Sequence, residues 1–402
     1  MPGAPRTVRL LLATAIVAGL LVAAEAAPVT ATPEAGTPDW RMVSTGGSHS
    51  CGIRTSGRLY CWGGDAYGEL GDGGSNTTRH TPTEVAGGHT DWTTVSAGGF
   101  HTCGRRSSGR LYCWGRDANG QLGNGMPTTN RSTPGEVAGG HTDWVGVSAG
   151  DEHTCARRST GRLYCWGDDE RGSVGFSLAF ADEPAPVQVA GGRTDWASVS
   201  AGGGHTCAVR ATGQLFCWGR DGSGQVGDGG PAGLFASRSI PFEVSGARTD
   251  WAAVSAGNAH TCARRTTGLL FCWGADQWGQ VGDGGTNTDR LAPRQVLTFF
   301  TDWTNVAAGG SHTCARRSTG RLYCWGYDQW GQVGDGEPLA NRAAPTEVEG
   351  HTTTWTQVDV GNSHSCARIN ARRISCWGND GAGLLGNGEP DQNQAAPVEI
   401  EA

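Results

Sequence analysis

The sequence contains no lysine, so all 31 of its basic residues are arginines, which we attribute to codon usage rather than to function. With 38 acidic residues its formal net charge is −7, and this lack of a basic excess argues against a nucleic-acid partner. Beyond the N-terminus the chain also lacks a sustained helical stripe and any run apolar enough to cross a membrane. These absences exclude a mainly helical protein and a polytopic membrane protein.

The N-terminus has the features of an export signal. Arg6 and Arg9 precede an uncharged run from Leu10 to Ala24, and Ala24-Glu25-Ala26 fits a small-x-small cleavage site. We expect a signal peptide over residues 1–26, a linker over 27–39 and a secreted product, extracellular or periplasmic; retention as a membrane anchor is the alternative. Removal of residues 1–26 leaves 29 basic residues (31 minus 2) and 37 acidic residues (38 minus 1), a net charge of −8.

All fourteen cysteines fall into pairs that repeat along the chain. The first members of successive pairs are 52, 52, 52, 55, 52 and 52 residues apart, which indicates seven repeats of one structural unit. The segment HTCARRSTGRLYCWG occurs identically at 153–167 and 312–326. The pairs are Cys51 with Cys61, Cys103 with Cys113, Cys155 with Cys165, Cys207 with Cys217, Cys262 with Cys272, Cys314 with Cys324, and Cys366 with Cys376.

Each repeat contains four short strand candidates separated by glycine-rich turns. In the second repeat they are Trp92 to Ala97, Phe100 to Arg105, Arg110 to Gly115 and Pro134 to Val137. Four strands in about fifty residues is the size of a propeller blade, and the 67 glycines suit many tight turns. The predicted fold is therefore all-β, a seven-bladed β-propeller over residues 40–402.

The cysteine spacing follows from the central hairpin of the repeat. If Thr55-Ser56-Gly57 is a three-residue loop with a left-handed glycine, Cys51 and Cys61 face one another in a non-hydrogen-bonded pair. This predicts one disulfide per blade, as expected of an exported chain. The seventh repeat lacks the loop glycine, and we expect Asn370 to take the left-handed angle there. A zinc site at His49, Cys51 and Cys61 is the weaker alternative, because a structural zinc site needs four ligands.

Strand alternation makes both faces of each sheet apolar. His49, Cys51, Leu59 and Cys61 fall on one face and Tyr60 and Trp62 on the other, so each sheet must be packed between two neighbours, as in a ring of blades. Two closures are possible. Either each repeat is a whole blade, or the strand from Pro397 to Ile400 pairs with the first repeat.

Three blocks recur in order in the repeats: V-S-A-G-x-x-H-T-C, G-R-L-Y-C-W-G and G-Q-V-G-D-G, the last replaced by GSVGFS in the third repeat. In these blocks the chain resembles the regulator of chromosome condensation family, from Trp40 to the C-terminus. The resemblance implies a seven-bladed propeller. The family's nucleotide-exchange and chromatin-binding activities fit an acidic exported chain poorly. Secreted bacterial members, including an inhibitor protein that docks on β-lactamases, are more similar, which implies a binding propeller with an unidentified partner.

Residues that recur in every repeat are expected to be structural, because an active site needs one asymmetric constellation. We interpret the seven H-T-C histidines as backbone-bonded packing residues and fourteen of the sixteen tryptophans as core. Aspartates such as Asp65, Asp276 and Asp328 are expected to cap their own turns, with a ring of cation ligands as the alternative. We expect no catalytic residue, metal or cofactor.

Aromatic residues that do not repeat are the candidate anchors for a partner, since function is expected where blades vary. Packing beneath the loops is the equally weighted alternative. The candidates are Trp278, Trp330, Tyr67, Tyr327, Phe176, Phe180, Phe235, Phe299 and Phe300.

The sequence thus predicts a secreted, monomeric, non-enzymatic propeller that binds or inhibits an extracellular protein through its loop rims. A carbohydrate-binding propeller that uses the same tryptophans is the main alternative. Guanine-nucleotide exchange and hydrolysis have less support.

Overall fold

The computed structural model describes Met1, Gly3 and residues 39–401 apart from 127–128, 177–179, 234–235, 338, 371 and 390. The predicted export signal and linker thus fall almost entirely outside the described residues. The strands all lie within the unit formed by residues 38–402. Within the described part of the chain, no helix has the length and apolarity to cross a membrane.

Twenty-eight strands are grouped by fours into seven sheets among the described residues. Blades 1 to 4 contain β1 (Trp40–Thr45), β2 (His49–Arg54), β3 (Leu59–Gly63), β4 (Arg79–Glu84); β5 (Trp92–Ala97), β6 (His101–Arg106), β7 (Leu111–Gly115), β8 (Arg131–Glu136); β9 (Trp144–Ala149), β10 (His153–Arg158), β11 (Leu163–Gly167), β12 (Glu183–Gln188); and β13 (Trp196–Ala201), β14 (His205–Arg210), β15 (Leu215–Arg220), β16 (Ser237–Glu243). Blades 5 to 7 contain β17 (Trp251–Ala256), β18 (His260–Arg265), β19 (Leu270–Gly274), β20 (Arg290–Gln295); β21 (Trp303–Ala308), β22 (His312–Arg317), β23 (Leu322–Gly326), β24 (Arg342–Glu347); and β25 (Trp355–Val360), β26 (His364–Ile369), β27 (Arg373–Gly378), β28 (Gln394–Glu399).

Every sheet is an antiparallel meander in chain order. The predicted all-β, seven-bladed propeller is therefore confirmed. In the second repeat the first strand has the predicted bounds, the next two begin one residue late, and the fourth begins at Arg131 rather than at Pro134. The innermost strand of each blade contacts that of the next, and β25 contacts β1, which closes the ring.

One disulfide staples the central hairpin of each blade, as predicted. In blade 1 the bonded cysteines lie directly opposite one another with Cα atoms 4.0 Å apart, and in the other six blades this separation is 4.1 Å. The seven predicted bonds, all present, join Cys51 with Cys61, Cys103 with Cys113, Cys155 with Cys165, Cys207 with Cys217, Cys262 with Cys272, Cys314 with Cys324, and Cys366 with Cys376.

The hairpin turns and the sulfur chemistry also agree with this pairing. Gly57 turns the first hairpin at φ +78°, and Asn370 takes φ +50° in the seventh repeat, as expected. Because all fourteen cysteines are bonded to one another, no thiolate is left to bind a metal, and the zinc interpretation is wrong.

The hydrophobic core is divided among the seven junctions between blades. At the first junction the disulfide side of blade 1, with Ile53 and Leu59, packs against Trp92 and Trp114 of blade 2. Leu70 from the β3–β4 loop fills the same space. Equivalent clusters occur at the other six junctions, and all fourteen repeating tryptophans are buried, which confirms their assignment to the core.

The G-Q-V-G block of each blade accepts hydrogen bonds from the next blade. The main-chain oxygen of Glu69 in blade 1 accepts hydrogen bonds from the indole Nε1 of Trp114 (3.0 Å) and the hydroxyl of Thr102 (2.7 Å) in blade 2. Gly71, at φ +70°, must be glycine here, because a Cβ would lie 2.4 Å from the Trp114 Nε1. The same pair of hydrogen bonds to one carbonyl oxygen recurs at all seven junctions, including the one formed by the third repeat with its altered block.

The seven repeating histidines join neighbouring blades through side chains, which corrects the expected bonding to the backbone. His101 Nε2 lies 2.8 Å from the hydroxyl of Thr154 in the next blade. Since that hydroxyl donates its hydrogen to the Gln121 carbonyl, Nε2 must carry the proton and donate. Each of these histidines lies opposite a glycine of the third strand, as His49 lies opposite Gly63. The partners in the other blades are Thr102, Thr206, Thr261, Thr313, Ser365 and Ser50.

A collar of main-chain hydrogen bonds surrounds the propeller axis. In each turn between the first and second strands, one N–H donates to the carbonyl of the equivalent turn in the next blade, as in Gly99 N to Gly150 O at 3.0 Å. Seven such bonds close the collar, with lengths from 2.9 to 3.3 Å. The imidazole of His101 lies against Gly98 in this turn rather than over the hairpin glycine. This packing explains why the turn requires glycine.

The ring closes between whole blades, so each repeat is one blade. The last strand, β28, pairs with β27 of its own repeat. Blade 7 meets blade 1 through Gln357, whose side chain bonds both the N–H and the carbonyl of Val43, and through Asp359, which accepts the Thr45 N–H at 2.9 Å. The closing junction therefore joins the same strands as the others, with Asp359 in place of the serine that accepts the equivalent N–H at five other junctions.

Candidate functional site

The meander places alternate connections on opposite faces of the propeller. We call the face that carries the turns between first and second strands and the long loops between third and fourth strands the long-loop face. The opposite face carries the short hairpins and the links between blades, and we call it the hairpin face. Because chain direction alternates from strand to strand, these assignments follow from the strand order alone.

Blades 5 and 6 hold the first aromatic group on the long-loop face. Trp278 packs edge-on against Tyr327 of the next blade, with ring centroids 5.0 Å apart, and both side chains are half-buried. Trp330 in the next loop is 41% exposed. The main-chain N–H groups of Trp278 and Trp330 bond the side chains of Gln280 and Gln332, which fixes both loops. Three of the predicted anchors thus lie on two adjacent loops of one face.

Blades 1 and 2 hold a second aromatic group at the equivalent junction. The rings of Tyr67 and Phe100 meet edge-on at 5.5 Å, and the guanidinium of Arg116 lies 5.7 Å from the Tyr67 ring. Phe100 is exposed and is absent from the sequence-based candidates. The sequence does single out Phe100 as a non-repeating aromatic residue, because the other repeats have Ser, Glu, Gly or Ala at its position.

Blade 3 adds exposed aromatics and a concentration of acid to the same face. Phe176 and Phe180 are both exposed. Burial, reinforced by neighbouring carboxylates such as Asp168, raises the pKa of Asp169 to about 7, and burial also raises the pKa of Asp182. Phe235, the predicted anchor in blade 4, lies outside the described residues.

The two remaining candidates lie on the opposite, hairpin face. Phe299 is fully exposed, at 103% of the reference area, beside a groove of about 330 Å³ that Leu297 and Pro345 also line. Phe300 packs against Trp303 and Tyr323 of blade 6, in the position that His89 takes beside Trp92 of blade 2. The predicted anchors therefore do not form one patch.

The repeating aspartates hold the long loops in shape. Asp65 accepts the N–H of Leu70 through Oδ1, and Asp276 and Asp328 accept those of Val281 and Val333 in the same way. This confirms their assignment as caps. No group of three or more potential metal ligands occurs in the described part of the chain.

The axis of the propeller is too narrow to be the main site. On the long-loop face it opens into a cavity of about 70 Å³, lined by the collar turns and by Asp151, Asn258 and Asn362. Burial, with Glu152 nearby, raises the pKa of Asp151 to about 6. The loops around the opening therefore offer far more surface than the opening itself.

Sequence and structure comparisons give one consistent family. The RCC1-like domain matches residues 88–402, and the regulator of chromosome condensation (RCC1) repeat matches residues 56–104. The ultraviolet-B receptor UVR8 of Arabidopsis thaliana is 31% identical over 371 residues, which cover 90% of this chain and 81% of the receptor. The human regulator of chromosome condensation is 28% identical over 374 residues, or 88% of this chain and 87% of the regulator.

Solved structures show the same fold at lower identity. Yeast RCC1 (Prp20), in its crystal structure with Kap60, has a TM-score of 0.76 at 22% identity, covering 85% of this chain and 83% of that one. Human WBSCR16 has a TM-score of 0.77 at 18% identity, covering 86% and 95%. The names of these relatives describe a receptor and a regulator rather than a hydrolase. The chain therefore belongs to the regulator of chromosome condensation family, as an RCC1-like β-propeller that serves as a protein-interaction module.

Proposed function

We propose that the protein is an exported module that docks an extracellular protein on its long-loop face and thereby inhibits it. The observation that carries the proposal is the break in sevenfold symmetry on that face. Trp278, Tyr327 and Trp330 stand at loop positions where the other blades, apart from Tyr67 in blade 1, have small or polar residues, and Trp330 is exposed. Exposed aromatics on a rigid scaffold have the properties of interface hot spots.

Charge in blade 3, on the same face, supports a partner that also carries a basic surface. The carboxyl groups around Phe176 and Phe180 have raised pKa values, in part because they repel one another. A cationic partner would relieve that repulsion and would be attracted from a distance. The face therefore combines aromatic anchors with electrostatic complementarity.

Export is the second part of the proposal. Seven disulfides are typical of oxidising compartments, and residues 1–26, which precede the propeller, have the sequence features of an export signal. We do not propose nucleotide exchange, the activity associated with the family name, because it fits an acidic exported chain poorly. We also expect no enzymatic turnover, because the repeating histidines are buried and bonded within the scaffold.

The test compares variants of the two faces. Extracellular proteins are captured on immobilised oxidised protein, and the affinity of the main bound protein is then measured. The double variant Trp278→Ala/Trp330→Ala should lose about thirtyfold or more in affinity, as expected when hot-spot side chains are removed. Phe299→Ala, which removes an exposed aromatic from the other face, should change it by less than about twofold.

Equal affinity of both variants for the partner would contradict the proposal. A glycan array separates it from the carbohydrate alternative: glycan binding that depends on Trp330, with no protein captured, would favour a lectin. Inhibition is tested separately by assaying the captured protein, if it is an enzyme, with and without the propeller.

A further inference from the structure

A second charged feature lies on the hairpin face, near the propeller axis. Five repeats place an arginine at the fifth position of the second strand, next to the end of the hairpin, whereas blades 1 and 4 have Ile53 and Val209 there. The position has the same register in each blade, opposite the third residue of the inner strand. The five residues are Arg105, Arg157, Arg264, Arg316 and Arg368.

Three of these side chains bond across the junctions between blades, whereas Arg157 and Arg264 are placed in the ring by their equivalent register. Nη1 of Arg105 donates to the main-chain oxygen of Trp144, and Nη1 of Arg316 donates to that of Trp355, both at 3.4 Å. Arg368 makes the equivalent contact with the Trp40 oxygen at 3.5 Å. Each acceptor is the first residue of the next inner strand, so these guanidinium groups lie around the axis.

Blade 1 supplies a guanidinium at the same place by a different route. Its second strand has Ile53, but Nη2 of Arg41 in the inner strand donates to the Trp92 oxygen at 2.5 Å. That oxygen is the counterpart of the one that Arg105 contacts in the next blade. Six blades therefore contribute an arginine to one ring, and blade 4, with Val209, leaves a gap.

The ring arginines differ from several neighbouring arginines of the hairpin face because they lack carboxylate partners. In the same hairpin Arg106 pairs with Asp91 at 2.7 Å and Arg110 with Glu136 at 2.9 Å. None of the six ring arginines forms an ion pair with a described residue, although Asp39 lies close enough to Arg368 to influence its pKa.

Burial has already removed part of the water from these cations. The Nε groups of Arg105, Arg264 and Arg316 are buried and have no hydrogen-bond partner among the described residues. Burial also lowers the pKa of Arg105 and Arg316. Carboxylates placed over the ring would therefore meet donors that are already partly desolvated.

We propose that this arginine ring, formed by Arg41, Arg105, Arg157, Arg264, Arg316 and Arg368, binds an acidic segment of a partner protein at the centre of the hairpin face. Carboxylates match the guanidinium donors in geometry and charge. The net charge of −7 opposes a long polyanion such as nucleic acid, whereas a short acidic segment would contact only the local positive field. The ring lies on the face opposite the long-loop site, so it can act whether or not that site binds.

The experiment measures the binding of a fluorescein-labelled oligoglutamate peptide to the full oxidised protein by fluorescence anisotropy. The variant Arg105→Gln/Arg316→Gln should weaken binding about tenfold or more. Its matched control is Arg110→Gln/Arg321→Gln, which removes the same charge from the same two blades at arginines paired with glutamate, and should weaken it by less than about twofold. Arg41→Gln changes an exposed side chain, so folding is not at issue, and should weaken binding about threefold.

Oligoglutamine should not bind, and binding of oligoglutamate should weaken as salt rises. Equal losses in the two double variants, or no loss in Arg41→Gln, would refute the ring as the site. Tighter binding of heparin or duplex DNA than of oligoglutamate, with the same dependence on Arg105 and Arg316, would also overturn the proposal, since the ligand would then be a polyanion.

Discussion

Replacement of Gly98 by alanine tests whether the axial collar stabilises the propeller. Gly98 has an ordinary backbone angle, so the substitution introduces no left-handed strain. Its Cβ, however, would lie 2.4 Å from the Gly150 oxygen and 2.6 Å from Cε1 of His101. A carbon and an oxygen normally stay about 3.3 Å apart, so the two turns must separate by roughly 1 Å.

The expected cost has two parts. Overpacking at a rigid contact costs about 1–3 kcal/mol. The separation would also weaken the bond from Gly99 N–H to Gly150 O, which is worth about 1 kcal/mol. Gly98→Ala should therefore lower the free energy of unfolding by about 2–4 kcal/mol.

Gly146 in β9 provides the matched control, because a Cβ there would meet nothing within 4 Å. Gly146→Ala should be neutral or stabilise by up to about 1 kcal/mol, because alanine restricts the unfolded chain. Urea denaturation of the oxidised proteins, followed by tryptophan fluorescence, measures the difference. If Gly98→Ala unfolds at the same urea concentration as Gly146→Ala, the collar contact is not as tight as described.

Three further predictions concern the scaffold. Burial lowers the pKa of His101 to about 3, below its value in the unfolded chain. Its contribution to stability is therefore complete above pH 6.5 and is lost as the pH falls toward 3, by up to about 1.4 kcal/mol per pH unit. The NMR signal of His101 should stay in the neutral form down to about pH 5, and titration near pH 6 would contradict this. The double variant in which Cys155 and Cys165 are both replaced by alanine should cost about 2–3 kcal/mol in urea denaturation, and thiol titration of the unreduced wild type should find no free thiol. Ala307 occupies the position at which five blades have a serine whose hydroxyl accepts an N–H of the next blade. Ala307→Ser should therefore raise the free energy of unfolding by about 1 kcal/mol, and Ser148→Ala should lower it by about as much. If both substitutions change that free energy in the same direction, the serine hydrogen bond does not stabilise the junction.

The interior of each blade could be predicted from the sequence, because it depends on contacts within one repeat. The nine residues between Cys51 and Cys61, with a glycine near the middle, determine the hairpin register and hence the disulfide. The fourth strand was placed less well, since Arg131-Ser-Thr at its start has no apolar alternation.

Contacts between blades could not be predicted in the same way. The sequence shows that His101 recurs, but not that its Nε2 reaches a threonine of the next blade, because that distance depends on how two sheets pack. The ring closure was undecided for the same reason. Residue type does not determine the face on which a side chain lies, so the sequence cannot separate Phe299 from Trp330, although the two lie on opposite faces.

Thr102 and Trp114 both donate hydrogen bonds to one main-chain oxygen of the preceding blade, and the equivalent pair of hydrogen bonds connects the blades at every junction of the ring. Since the acceptor belongs to the backbone, this contact needs the close-packed glycine of the loop, Gly71 in blade 1, but no particular side chain at the acceptor residue, which is Glu69, Ser173 or Leu384 in different blades. We therefore expect that one whole repeat can be exchanged for another to obtain a surface with new specificity, while the hydrogen bonds between neighbouring blades are kept.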